Sequence, residues 1–148
     1  MSKAYCRQII NALKVANRID AARPIAPPVT PRAIARIALA LTSPSVRHAV
    51  DVEQALGALT LASGGGQPTL EDELTDLVET AVGWRYGDVN FRDGTILIGH
   101  DTGSVIIGQS RYAAKSSVPG GLQRITLVTN RAIAQIAREL LPSERGIV

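Results

Sequence analysis

The side-chain types that catalysis needs occur in this 148-residue chain, but their spacing does not assemble a reactive group. The two histidines are His48 and His100. His100 lies next to Asp101 and close to Ser104, which gives the three residue types of a nucleophilic triad. Neighbouring side chains in one turn rarely point at one another, so we do not expect triad geometry. We interpret this stretch as a solvated turn between two strands.

Two other patterns typical of catalytic or phosphate sites are incomplete. Lys115 next to Ser116 has the residue types of a serine–lysine dyad, but a lysine base must be desolvated and this lysine lies in a polar stretch. The glycine run at 64–66 lacks the Gly-Lys-Ser/Thr ending of a phosphate-binding loop. The sequence therefore predicts a protein that is not an enzyme and uses no cofactor or metal. An enzyme with its site in the segment Gln109–Gly121 stays open as a third hypothesis.

Charge is distributed very unevenly along the chain. Residues 1–50 carry a net charge of +7, residues 51–100 carry −7, and the remainder adds +3. Such a chain can pair with itself, within one fold or between copies, or its basic third can meet an acidic partner or a phosphate backbone. Eight side chains are candidates for contact with a partner or with phosphate: Arg7, Lys14, Arg18, Arg32, Arg36, Arg111, Tyr112 and Lys115.

The N-terminal segment reads as an amphipathic helix on a stiff linker. Residues 2–22 place apolar side chains at helical spacing and most basic side chains on the other side. The following stretch, Arg23–Pro31, contains four prolines and cannot be helical. In a polyproline-like form it would reach roughly 25 Å, at about 3.1 Å per residue. We interpret residues 1–30 as an arm that docks on a neighbouring subunit, and residues 31–148 as a single α+β domain.

A small helical layer is predicted after the linker. Thr30 and Pro31 are a typical helix start, because threonine caps and proline suits the first helical position. Ser43 and Pro44 separate this helix from a second one that runs to about Ala62. Thr69 is then expected to cap a third helix, whose first turn of three acids suits the helix dipole.

The stretch from 88 to 129 reads as antiparallel sheet. Two strands, 95–98 and 104–107, carry consecutive apolar residues, so both faces of the sheet are hydrophobic and need cover. A strand around 89–91 precedes them, and the run 122–129 is a further strand. We expect the polar residues between the third and fourth strands to form a long loop. A helix beginning near 131 closes the chain.

These elements predict an α+β fold, in which N-terminal helices (a basic arm plus a small helical layer) precede a three- to four-stranded antiparallel β-meander and a C-terminal helix. The predicted function is a non-catalytic, homo-oligomeric structural or adaptor subunit of a larger assembly, which binds itself and other protein subunits. A phage or virus particle component is one concrete instance. The alternative is a small nucleic-acid-binding or regulatory protein that uses its basic N-terminal helices.

Targeting features set the expected location. No segment approaches the roughly 20 apolar residues that span a membrane, and the N-terminus lacks the apolar core of a secretory signal. The single cysteine, Cys6, forms no internal disulfide. We expect a protein of the cytoplasm or of an assembled particle, not one secreted by a signal peptide.

Overall fold

The predicted α+β class is confirmed in a computed structural model of the chain. The structure describes residues 2–21, 29–62, 64, 68–81, 95–100, 104–107, 110–113, 125–129, 132–133 and 136. In these ranges the helices are α1 (Lys3–Val15), α2 (Pro31–Leu41), α3 (Ala49–Gly57) and α4 (Leu70–Ala81), with a 3-10 turn at Val46–His48. The strands are β1 (Thr60–Leu61), β2 (Thr95–Gly99), β3 (Ser104–Ile107), β4 (Ser110–Ala113) and β5 (Ile125–Thr129).

The starts of α2 and α4 lie where their capping residues predict. The Thr30 hydroxyl accepts a hydrogen bond from the Ala33 amide at 3.2 Å, and Pro31 is the first residue of α2. At α4 the capping is reciprocal. The Thr69 hydroxyl accepts from the Asp72 amide at 3.3 Å, and the Asp72 carboxylate accepts from the Thr69 amide at 3.2 Å. Both caps satisfy amide donors that have no partner within the helix.

Helix α1 is shorter than the predicted helix over 2–22. It ends at Val15 because Asn17 adopts a left-handed backbone conformation, with φ 56°. The amides of Asn17 and Arg18 then donate to the carbonyls of Lys14 and Leu13 at 3.1 and 2.9 Å. This is the Schellman arrangement, in which a residue with positive φ closes the helix and turns the chain. The turn places the Arg18 side chain beside the helical layer.

The second predicted helix, expected to run to about Ala62, is also divided. It consists of the 3-10 turn and α3, which ends at Gly57, and is followed by the short strand β1. The Leu70 amide donates to the Leu59 carbonyl at 2.8 Å, which ties this connection to the start of α4. The prediction of one long helix was wrong because β1 pairs with β4 instead of continuing the helix.

Helix α2 lies between two apolar clusters. On one side, Ile37 and Ala40 pack with Ile9 and Leu13 of α1 and with Ala49 of α3. Its other side contributes to the main core, which joins α3 and α4 to the inner face of the sheet. The buried residues of this core are Ile34, Ala35, Leu39, Leu56, Leu59, Leu70, Leu74, Val78, Ile96, Ile98, Val105, Tyr112 and Ile133. Each large aliphatic side chain buried in this way contributes about 2 kcal/mol.

The five strands form one antiparallel sheet in the order β1-β4-β3-β2-β5. The predicted meander had three to four strands, and β4 lies in the segment predicted as a loop. The neighbouring strands set which side chains of β4 face the core. Tyr112 is directly opposite Val105 on β3 and Leu61 on β1. Strand β5 lies within the predicted fourth run.

Two predicted elements fall largely outside the described residues. The strand expected around 89–91 lies entirely outside them. Of the predicted closing helix, residues 132, 133 and 136 are described, and they are helical. Ile133 is buried in the main core. In the described part of the chain, none of the helices is long and apolar enough to cross a membrane.

Candidate functional site

A buried ion pair joins the turn after α1 to α3. The Arg18 Nε atom donates to Glu53 Oε2 at 2.8 Å, and Arg18 Nη2 donates to Glu53 Oε1 at 3.0 Å. The Glu53 side chain is fully buried, whereas a quarter of the Arg18 side chain is exposed. A buried carboxylate is very unfavourable without a hydrogen-bonded counter-charge. The two-bond geometry of a guanidinium supplies that counter-charge.

A second acid, Glu71 on α4, forms ion pairs with arginines of the same region. Arg32 Nη1 and Arg36 Nε donate to Glu71 Oε1 at 2.8 and 2.9 Å. Arg18 Nη2 lies 3.7 Å from the other oxygen, and Arg32 Nη2 also donates to Asp72 at 3.0 Å. We call these side chains the arginine–acid cluster; its members are Arg18, Arg32, Arg36, Glu53, Glu71 and Asp72.

Close packing of the helices makes this cluster compact. A Cβ atom at Gly57, the last residue of α3, would lie 3.3 Å from Glu71 Oε2, which is tighter than ordinary van der Waals contact. The glycine therefore leaves room for the carboxylate between α3 and α4. Arg36 additionally donates to the Arg18 carbonyl, which fixes the turn after α1 against α2.

The pairing stabilises the charged forms of Arg18, Arg32 and Asp72. The hydrogen bond to Glu53 raises the pKa of Arg18, and hydrogen bonds to Glu71 and then Asp72 raise the pKa of Arg32. The pKa of Asp72 is lowered, first by the Thr69 amide and hydroxyl and then by Arg32. Opposite charges from the basic and acidic thirds of the chain thus meet within one copy.

Half of the eight predicted contact residues are therefore engaged inside the chain. Arg18, Arg32 and Arg36 belong to the arginine–acid cluster. Tyr112 is only 2% exposed and lies in the main core. Burial raises its pKa, with a further contribution from Glu73 on α4, to which it is hydrogen-bonded.

Among the described residues, the candidates Arg7, Lys14 and Arg111 are not members of that cluster. Arg7 and Arg111 are exposed, and Lys14 is half-buried near the end of α1. Lys115 lies outside the described residues. The sequence reading did not identify Glu53, Glu71 and Asp72 as the partners, although the opposite charges of the first two thirds were the signal for them.

The outer face of the sheet carries an apolar row. Arg111, Ile106, Leu97 and Leu127 are directly opposed across β4, β3, β2 and β5. Ile106 is 40% exposed and Leu127 is 58% exposed. Val105 on β3 and Val128 on β5, which are neighbours of Ile106 and Leu127 along the strands, lie on the other face and pack in the main core. We call the four opposed residues the outer row.

The residues first considered for catalysis are placed differently. His100 Nε2 lies 2.6 Å from the Thr126 hydroxyl on β5. Asp101, the residue that a triad would need beside it, is outside the described residues. No group of three or more histidine, cysteine, aspartate or glutamate side chains in the described ranges could hold a metal ion.

Comparison of the chain with protein-family models, with curated proteins and with solved structures found no match. The arginine–acid cluster and the outer row are the two features of the described residues that bear most directly on function.

Proposed function

We propose that this protein is a non-catalytic subunit that associates with copies of itself and serves as a structural or adaptor component of a larger assembly. The observation that carries the proposal is the outer row, in which Ile106 and Leu127 remain substantially exposed on either side of Leu97. Exposed aliphatic side chains that are contiguous on a sheet are typical of interaction surfaces.

The size of the row fits the centre of an interface. Neighbouring strands lie about 4.8 Å apart, so the three aliphatic side chains extend over roughly 10 Å. A stable protein–protein contact buries about 800 Å² on each partner, and a few central residues supply most of its energy. The row would form that centre. Polar residues of the same face, among them Ser104 and Thr129, would form the rim.

A second copy is the occupant that suits this surface. If two outer rows meet across a two-fold axis, Ile106 of one copy covers Leu97 of the other, and Arg111 covers Leu127. The aliphatic stem of an arginine packs well on an apolar side chain while its charge stays in water. The two Arg111 charges then lie at opposite ends of the contact, so they do not repel. An isologous dimer of this kind is the commonest form of oligomer.

The test is the solution mass of a double variant, Ile106→Ser with Leu127→Ser, measured by light scattering beside the unaltered protein. We expect the unaltered protein to be oligomeric and the double variant to have a clearly lower mass. Val15→Ser is the matched control, because Val15 is 86% exposed but lies at the end of α1. It should keep the unaltered mass. An unchanged mass in the double variant would contradict self-association through the outer row.

Nucleic-acid binding is the second candidate function, and a specific observation favours it. Arg7 and Lys14 lie on α1, and the ion pairs between described residues do not include them. Cations in such positions can contact phosphates non-specifically. The double variant Arg7→Gln with Lys14→Gln should then lose salt-sensitive retention on a nucleic-acid column. Equal retention of the variant and the unaltered protein would exclude this route.

A further inference from the structure

Helix α1 occupies a groove between α2 and α3. Ile9 and Leu13 are fully buried there, against Ile37, Ala40 and Ala49. The Tyr5 hydroxyl donates to the Ser43 carbonyl at 2.7 Å, just beyond the end of α2. These contacts form an apolar cluster of their own, separate from the main core between the helices and the sheet. The groove is therefore a distinct docking site for one amphipathic helix.

The groove requires an occupant for an electrostatic reason as well. Without Arg18, the cation that stays near the buried Glu53 carboxylate among the described side chains is Arg36, whose Nε lies 3.9 Å away, beyond hydrogen-bond distance. A carboxylate left in that state is strongly destabilising. The site thus needs the α1 segment of some copy of the chain, and it makes the same contacts whichever copy supplies it.

The linker between α1 and α2 is long enough to carry α1 to an adjacent copy. Residues 22–28, between the turn after α1 and Val29, include Pro24, Pro27 and Pro28. Proline favours extended backbone, which spans roughly 3.1 Å per residue. A linker of this composition can span roughly 20 Å over its seven residues. It is compatible with delivery of α1 to an adjacent copy.

We infer that α1 is exchanged between copies in the assembled protein, so that Arg18 of one copy binds Glu53 of the partner subunit. Exchange of an identical element is a low-cost route to association, since every contact already exists within the single copy. This inference rests on the proposed self-association, which brings two copies close, and it names a second contact between them. The first contact is the outer row, and the second is the α1 groove.

Charge reversal in two full-length variants tests the exchange. One variant carries Arg18→Glu and the other carries Glu53→Arg. In either variant alone, positions 18 and 53 repel, whether α1 docks on its own copy or on an identical one. In an exchanged pair made of one copy of each variant, both docked segments meet an opposite charge.

The two variants are unfolded, mixed in equal amounts and refolded together. We expect the mixture to unfold close to the temperature of the unaltered protein and to contain a species of at least two copies. Each variant refolded alone should unfold at a lower temperature. A mixture that melts as the simple sum of its two separate components would overturn the exchange.

A chain that carries both reversals shows whether the fold accepts the inverted pair, because its own positions 18 and 53 attract. If it does not regain stability, a second mixture decides the question, with Leu13→Asp in one copy and Ala49→Asp in the other. An exchanged pair then docks one unaltered α1 in one unaltered groove. Recovery of stability on mixing supports exchange, and its absence overturns it.

These experiments separate the inference from the proposed function. A mass that falls when the outer row is substituted, with no recovery in either mixture, leaves the self-association intact and removes the exchange. Recovery on mixing, with a mass that is insensitive to Ile106 and Leu127, supports the exchange and removes the sheet contact.

Discussion

Arg18 and Glu53 are 35 positions apart in the chain, yet they share two hydrogen bonds of 2.8 and 3.0 Å around a carboxylate that is fully buried. The pair links the turn after α1 to α3. Glu71 stands next to it and receives Arg32 and Arg36 of α2. The arginine–acid cluster thus connects α2, α3 and α4 with the turn after α1, and it places α1 on the helical layer through charge as well as apolar contact.

Removal of one partner of the buried pair should cost much more than removal of both. We expect Arg18→Ala to lower the free energy of unfolding by about 3 kcal/mol, because the buried Glu53 carboxyl group loses its two donors. Arg36, at 3.9 Å, offsets only part of the loss. The double variant Arg18→Met with Glu53→Leu should be much closer to the unaltered protein. Urea denaturation measures both; equal losses would contradict this account of the pair.

Stability on the acid side should depend on Asp72. Its pKa in the folded chain is lowered below 3.8, so the carboxylate binds fewer protons than in the unfolded chain. The stability that Asp72 contributes is fully present above its pKa in the unfolded chain. It is lost as the pH falls through its pKa in the folded chain. Asp72→Asn should cost about 1 kcal/mol or less at neutral pH. The difference from the unaltered protein should shrink from about pH 5 to about pH 2 in chemical denaturation, and a constant difference would contradict it.

Stability on the alkaline side should depend on Tyr112. Its pKa in the folded chain is raised above 10.0, first by burial and then by Glu73. As the pH rises, Tyr112 therefore loses its proton in the unfolded chain before it does so in the folded chain. The stability that Tyr112 contributes falls as the pH rises above its pKa in the unfolded chain. Tyr112→Phe should cost about 1 kcal/mol at neutral pH through the lost hydrogen bond.

The loss of stability at alkaline pH should be smaller in Tyr112→Phe than in the unaltered protein. Unfolding free energies at neutral pH and above about pH 10 give the comparison. If the free energy of unfolding falls equally steeply with pH in Tyr112→Phe and in the unaltered protein, the pKa of Tyr112 does not differ between the folded and unfolded chains.

Capping residues made the starts of α2 and α4 predictable, but the end of α1 was not predicted. Thr30 and Thr69 act as caps through groups within three residues of themselves, so the sequence contains all the information needed. The apolar periodicity of the first helix continues to Ile19, and it conceals the end at Val15. That end depends on the positive φ of Asn17.

The sheet shows where sequence patterns are insufficient. Residues 95–99 and 104–107 are apolar enough to be recognised as strands without their neighbours. The polar composition of Ser110–Ala113 is typical of a loop, but this segment is a strand because it pairs with β3 and β1 and buries Tyr112. Such pairing is a property of the sheet and not of the four residues alone.

The candidate site was predictable only in outline. Segregated charge indicated that the chain pairs with itself, within one fold or between copies, or that its basic third meets an acidic partner or a phosphate backbone. It could not select among these or identify the partner residues. The pairs Arg18–Glu53 and Arg36–Glu71 each join residues 35 positions apart, so they depend on how the helices pack. The arm predicted over 1–30 shows the same limit. Its apolar face is buried on its own copy in this structure, and its boundary at residue 30 stays a prediction.

The mass of the unaltered full-length protein in solution tests the central claim most directly. Light scattering over a range of protein concentrations, at low and at high salt, should give a discrete oligomer. That oligomer should persist at high salt, because the outer row is apolar and salt screens only the charged contacts. A single copy of 15.7 kDa at every concentration and in both salt conditions would contradict self-association.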